Sequence, residues 1–308
     1  MKSHNHVLRI LFILSILSSF TSCSDNSDNS INGPVILDEF VTGGGYFEFS
    51  DFQSLIIKTY YHIPIYVTNN TPIVFVFHGA GRNAKDYRDA MIAKSNQFNF
   101  IVMVPEFSIA NFPGGDGYNL GNVFIDGDNP SIGTLNPEEE WAFSVIEPLF
   151  DFIKQSLNNS TPKYHIFGHS AGGQFAHRFM MFKPNARFDK VVSSGSGWYT
   201  VPDLDINFPY GFKNSPLEDN SFENLFEKQL TIQIGELDND PNSAGLRHNQ
   251  FADAQGLNRL ERANHFFDEA LQLSQENNLE FNWDLHINEE GTHNYLTASE
   301  SAANLIFN

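Results

Sequence analysis

The 308-residue sequence predicts an α/β architecture, a mostly parallel eight-stranded sheet with helices on both faces. Three observations lead there. Short runs rich in Val, Ile and aromatic residues recur along the chain. Segments long enough for helices separate them, as in sheets covered on both sides. A 41% hydrophobic composition with 30 Phe supplies a core and excludes global disorder.

Aromatic and β-branched segments near 45–50 and 55–61 predict the two strands of a leading hairpin. The third and fourth strands are "PIVFVF" (72–77) and "FIVMV" (100–104), and the fifth is "KYHIF" (163–167). "KVVSS" (190–194), "LTIQI" (230–234) and "FNWDLHI" (281–287) complete the set. Helices are expected near 84–96, 139–157, 172–182, 261–277 and 296–306. For the second of these, Pro137 and three glutamates suit the positive N-terminal end of a helix at 139. Sites in such sheets lie beyond the carboxyl ends of the strands.

The formal charge of −19 argues against nucleic acid, whose phosphates would be repelled. At the N-terminus, Lys2 and Arg9 precede the apolar run "ILFILSILSSF" (10–20), which is too short to span a bilayer comfortably. The one cysteine of the chain, Cys23, follows "FTS". This segment resembles a bacterial lipoprotein signal, with Phe20 standing where an aliphatic residue is usual. The resemblance implies a signal peptide over 1–22, a lipidated Cys23 and a membrane-anchored, exported protein facing periplasm or cell exterior. "SDNSDNSINGP" (24–34) is polar and of low complexity, a flexible tether before a single domain over 35–308.

Chemistry concentrates at strand ends. Gly168-His169-Ser170-Ala171-Gly172 fits G-x-S-x-G between an expected strand and helix, the setting in which a serine is held out on a sharp turn. A nucleophilic serine needs a base, and the base an orienting acid. Following the motif's chain order, "GELDND" (235–240) and "GTHNY" (291–295) offer Asp238 and His293 on strand-end loops. Asp240 competes with Asp238, which lies closer to the strand end. His165 and His286 fall within strands and are assigned to packing, and His169 to shaping the turn. Oxyanion donors are expected from the backbone N–H of Ala171 and, in "HGAG" (78–81), of Ala80.

Together "HGAGRN", "GHSAGG", "GELDNDP" and "GTHNY" resemble an α/β-hydrolase over residues 45–308. The family implies Ser–Asp–His catalysis through an acyl-enzyme, with no metal or organic cofactor. "HGAGRNAKDYRD" and "PEFS…FPGGDGYNLGN" further resemble the branch of secreted polyhydroxyalkanoate depolymerases and feruloyl esterases. An ester, small or oligomeric, is the expected substrate. A serine peptidase of the same fold and a noncatalytic surface-binding lipoprotein are the competing readings. Two long connections, 106–133 and 196–212, should govern substrate choice. Phe112, Tyr118, Trp198 and Tyr199 are candidate pocket walls within them. "DGDN" (126–129) and "DNDPN" (238–242) hint at calcium, yet neither completes an EF-hand loop, and no metal is expected.

Overall fold

A computed structural model describes residues 40–308; the expected signal segment, Cys23 and the tether lie outside the described residues. The eight strands are β1 (Gly43–Phe52), β2 (Leu55–Ile63), β3 (Ile73–Phe77), β4 (Ile101–Pro105), β5 (Tyr164–His169), β6 (Phe188–Ser194), β7 (Gln229–Gly235) and β8 (Trp283–Asn288). They form one sheet in the order β1-β2-β4-β3-β5-β6-β7-β8. β1 and β2 pair antiparallel, as do β2 and β4, and every other neighbour is parallel. The hairpin turns through Gln53 and Ser54, both at positive φ, the two-residue geometry that matches strand twist.

Among the described residues eight helices accompany the sheet: α1 (Ala84–Phe98), α2 (Gly114–Gly117), α3 (Ile146–Leu157), α4 (Ala171–Phe182), α5 (Phe222–Phe226), α6 (Gln250–Ala254), α7 (Arg259–Glu276) and α8 (Tyr295–Phe307). Alternation along β3 divides the core. Ile73, Phe75 and Phe77 face a large cluster that takes in α3, α4 and α7, while Val74 and Val76 face α1 and α8. Both faces are therefore covered, and the two apolar clusters account for the purely apolar strand sequences. All twelve residues of α4 are buried. That helix packs on β3, β5 and β6 at the middle of the sheet.

One helix starts later than expected. Residues 138–140 and 142–145 form separate 3₁₀ turns, and α3 begins at Ile146. Two causes are visible. Trp141 is extended between the turns, buried against Phe182, with its indole N–H donated to the Asn136 carbonyl at 2.9 Å. Pro148 would also sit deep inside a helix begun at 139, costing about 3 kcal/mol, but falls in the first turn of one begun at 146. The glutamates mark a 3₁₀ turn instead.

Candidate active site

Close packing at the end of β5 explains the small residues there. A Cβ on Gly168 would stand 2.0 Å from the Gly172 carbonyl oxygen, and one on Gly172 2.0 Å from that of Phe77. The turn can thus be this tight only without side chains. It forces Ser170 to φ 58°, ψ −118°, a strained backbone for any residue but glycine. The Ser170 N–H is donated to the Ser194 carbonyl at 2.8 Å and its carbonyl accepts from Gln174 N–H at 3.0 Å. Strand β6 and α4 together hold the strain.

The loops after β7 and β8 bring two more side chains to this turn. His293 Nε2 lies 3.1 Å from Ser170 Oγ, and its Nδ1 lies 2.6 Å from Asp238 Oδ2. With the Nδ1 proton donated to the buried carboxylate, Nε2 is free to accept from the serine hydroxyl. Asp240 is exposed and accepts from the Asn242 N–H instead, so it has no place in this chain of bonds. Gly195, at φ +54°, lets the loop after β6 run close against both His169 and His293, whose rings a Cβ would meet at 2.9 and 3.2 Å. His169 packs on His293 with ring centroids 4.6 Å apart and bonds the Ser194 hydroxyl. Burial holds the His169 pKa well below the usual histidine value.

Ala171 opens α4, where first-turn N–H groups have no intrahelical acceptor and lie at the positive end of the helix. Opposite it, Gly79 sits close to Ser170. His78 shapes that segment: Nδ1–H is donated to the Gly79 carbonyl at 3.0 Å, and Nε2 accepts from Phe107 N–H at 3.1 Å. Burial pushes its pKa down to about 4. Ala80 follows in the same exit from β3. Arg82 then stacks over Tyr118 at 4.4 Å and donates to the carbonyls of Phe107, Phe112 and Gly114, tying this segment to the 106–133 connection.

The four candidate pocket aromatics require correction. Phe112, Tyr118, Trp198 and Tyr199 are each at most 3% exposed and offer no surface to a substrate. Phe112 and Tyr118 pack around Phe107, and Tyr199 stacks on Phe266 at 4.5 Å. Trp198 lies against the guanidinium groups of Arg178 and Arg247 and the Tyr210 ring. These rings anchor the two long connections in the core. Over them, Arg247 pairs with both oxygens of Asp128, at 2.7 and 2.9 Å, and donates to the Tyr210 hydroxyl at 3.2 Å. A cleft of about 550 Å³ opens there, lined by Asp128, Asn207, Tyr210, Arg247, Asn249 and Phe251.

Sequence reasoning missed Arg259, whose guanidinium donates to Asp238 Oδ1 at 3.2 Å within the protein interior. The Leu260 N–H also reaches the Asp238 carbonyl at 3.2 Å, so the start of α7 fixes Asp238 from two sides. A signal existed. An arginine at the first position of a helix opposes the helix dipole and asks for a nearby acid.

Fold and site together define an α/β-hydrolase. No protein-family model and no curated protein matches the sequence. Solved structures do. Poly(aspartic acid) hydrolase-1 from Sphingomonas sp. KT-1 is 38% identical, with a TM-score of 0.82, over 87% of this chain and 100% of that one. A poly(3-hydroxybutyrate) depolymerase from Bordetella parapertussis is 28% identical, with a TM-score of 0.80, over 87% and 90%. An S-formylglutathione hydrolase from Agrobacterium tumefaciens, at 16% identity and a TM-score of 0.53 over 85% and 92%, shares the fold. The chain belongs to the α/β-hydrolase family of serine hydrolases, and of the expected resemblance to polyhydroxyalkanoate depolymerases and feruloyl esterases, the likeness to a polyhydroxyalkanoate depolymerase is present.

Proposed function

We propose that the protein hydrolyses a carboxylic ester through an acyl-enzyme on Ser170. The continuous bond sequence Ser170–His293–Asp238 carries this reading. Ser170 attacks the acyl carbonyl as its proton passes to His293 Nε2, and Asp238 stabilises the imidazolium that forms. The oxyanion rests on the N–H groups of Ala171 and Ala80. The alcohol leaves with the proton from His293, and water hydrolyses the acyl-enzyme by the reverse sequence. A noncatalytic role would give no reason to maintain a strained, hydrogen-bonded serine. The 38% identical relative named for poly(aspartic acid) favours a second reading, cleavage of an amide-linked polymer.

Fluorophosphonate labelling followed by turnover of simple esters, poly(3-hydroxybutyrate) and poly(aspartic acid) separates the two. Ser170→Ala should abolish labelling and lower kcat by on the order of 10⁶ while the protein stays folded. A variant that retains activity within about tenfold of wild type would sink the nucleophile assignment.

The protein is further proposed to be an exported lipoprotein held to a membrane through Cys23. The charge of −19 gives no attraction to anionic lipid, so acylation must supply the anchor. Expressed in a bacterium, the wild type should fractionate with membranes. Cys23→Ser should release it or leave it uncleaved, with hydrolase activity retained. A soluble wild type beginning at another residue would mean an ordinary secretory signal.

A further inference from the structure

Arg178 is an anomaly in the core. Its side chain is fully buried in the middle of α4, and among the described residues it has no carboxylate partner. Its Nη2 finds no hydrogen-bond acceptor. Removing an unpaired charge from water costs several kcal/mol, which a methionine of similar volume would avoid. Burial accordingly pushes its pKa down to about 9.

What the guanidinium touches suggests why it is kept. Nε donates to Thr200 Oγ at 2.8 Å, and Nη1 to the Asn119 carbonyl at 3.1 Å and the Gln174 side-chain oxygen at 3.2 Å. Those partners belong to three segments: the connection after β6, the connection after β4, and α4 itself. Each partner is linked onward. Thr200 donates to the Pro209 carbonyl at 2.7 Å, closing its own connection into a loop. Gln174 accepts from Asn119 Nδ2 at 2.8 Å and lies against Gly197. Gln174 also stands one helical turn above Ser170, whose carbonyl its N–H caps. Finally the connection that carries Gly197 and Thr200 begins at Gly195, against His293. The planar, multi-donor head of arginine can bridge all three segments at once, as a lysine cannot.

We propose that Arg178 is a positioning residue that fixes the separation of the two connections beside Ser170 and so sets which acyl chains the site admits. The inference rests on the acyl-enzyme reading for its chemistry, but its test needs only an activated serine. Full-length wild type and Arg178→Lys are labelled with short- and long-alkyl fluorophosphonates, and the second-order rates compared. The wild type should discriminate between the two probes. Arg178→Lys, which keeps charge but loses the bridge, should reduce that selectivity about tenfold while the short-probe rate stays within about twofold. With p-nitrophenyl esters of the same chain lengths, the change should fall on KM rather than kcat. Thr200→Val, which removes the Nε acceptor together with the hydroxyl's bond to the Pro209 carbonyl, should shift selectivity in the same direction, and it decides the matter alone if the lysine variant fails to fold. Equal labelling of wild type by both probes, unchanged selectivity in the variants, or a parallel loss with both probes would overturn the proposal. A wild type that labels selectively but cleaves no ester would overturn the ester reading and leave this one standing.

Discussion

At the scale of single residues, two aspartates two positions apart have opposite fates. Asp238 is 4% exposed and held by His293, Arg259 and the Leu260 N–H, whereas Asp240 lies in solvent. Asp238→Asn should lower kcat by about 10⁴, because the amide cannot hold the required imidazole tautomer. Asp240→Asn should leave kcat nearly unchanged, and a reversal of the two effects would transfer the role. Arg259 carries a separate expectation. Its replacement by Met leaves a buried carboxylate with one partner fewer, a loss of about 3–5 kcal/mol in comparable buried pairs. A misplacement of about 1 Å costs on the order of 10² in rate. Arg259→Met should therefore lower both the melting temperature and kcat, and Arg259→Lys should recover part of each. A variant with lowered stability but full kcat would reduce Arg259 to a structural anchor.

Among the elements, what was legible follows how local the cause is. β3 and β4 could be read because their five-residue apolar runs record burial on both faces, and the leading hairpin because aromatic and β-branched residues gather in it. The late start of α3 was also written locally, in Pro148, but the acidic run at 138–140 competed for attention. The serine turn could be read from Gly168 and Gly172, since glycines at such spacing report close approach of backbones. The pocket could not. Whether Trp198 faces a substrate or a guanidinium depends on Arg178 and Arg247, which lie 20 and 49 positions further away in sequence or before it, on other elements. Gly172→Ala tests the close approach directly. Its Cβ would overlap the Phe77 backbone, which cannot rotate away. Overpacking of this kind costs about 1–3 kcal/mol or more, so the melting temperature should fall by at least several degrees. Gly133, with open space around its Cβ position, is the control, and Gly133→Ala should melt as wild type does. Equal melting of both variants would mean that α4 and β3 are less tightly apposed than the 2.0 Å approach at Gly172 requires.

For the molecule as a whole, buried histidines set the acid limit. His78, His169 and His177 are buried within the fold, and desolvation lowers the pKa of each, that of His78 to about 4. All three are neutral in the fold near neutrality, and His177 uses both ring nitrogens that way, toward the Gly173 carbonyl and the Thr200 N–H. Unfolding returns them to about 6.5, so below that pH the unfolded chain binds more protons than the folded one. Their contribution is complete above about pH 6.5 and is lost as pH falls below it, through about 4 for His78. Each histidine adds a slope of up to about 1.4 kcal/mol per pH unit, set against a total stability of about 5–15 kcal/mol. Protonation of surface carboxylates works the other way, by relieving the self-repulsion of a chain at −19, but those charges are exposed and screened by salt. The buried groups should win. Thermal melts in moderate salt should show a plateau above about pH 7 and a steep fall between about pH 6.5 and 5. His177→Asn should make that fall shallower whatever it does to the plateau, since it removes one of the protons taken up on unfolding. A melting temperature that holds steady down to pH 5 would mean that the fold accommodates charged histidines, against the burial that shapes the serine turn.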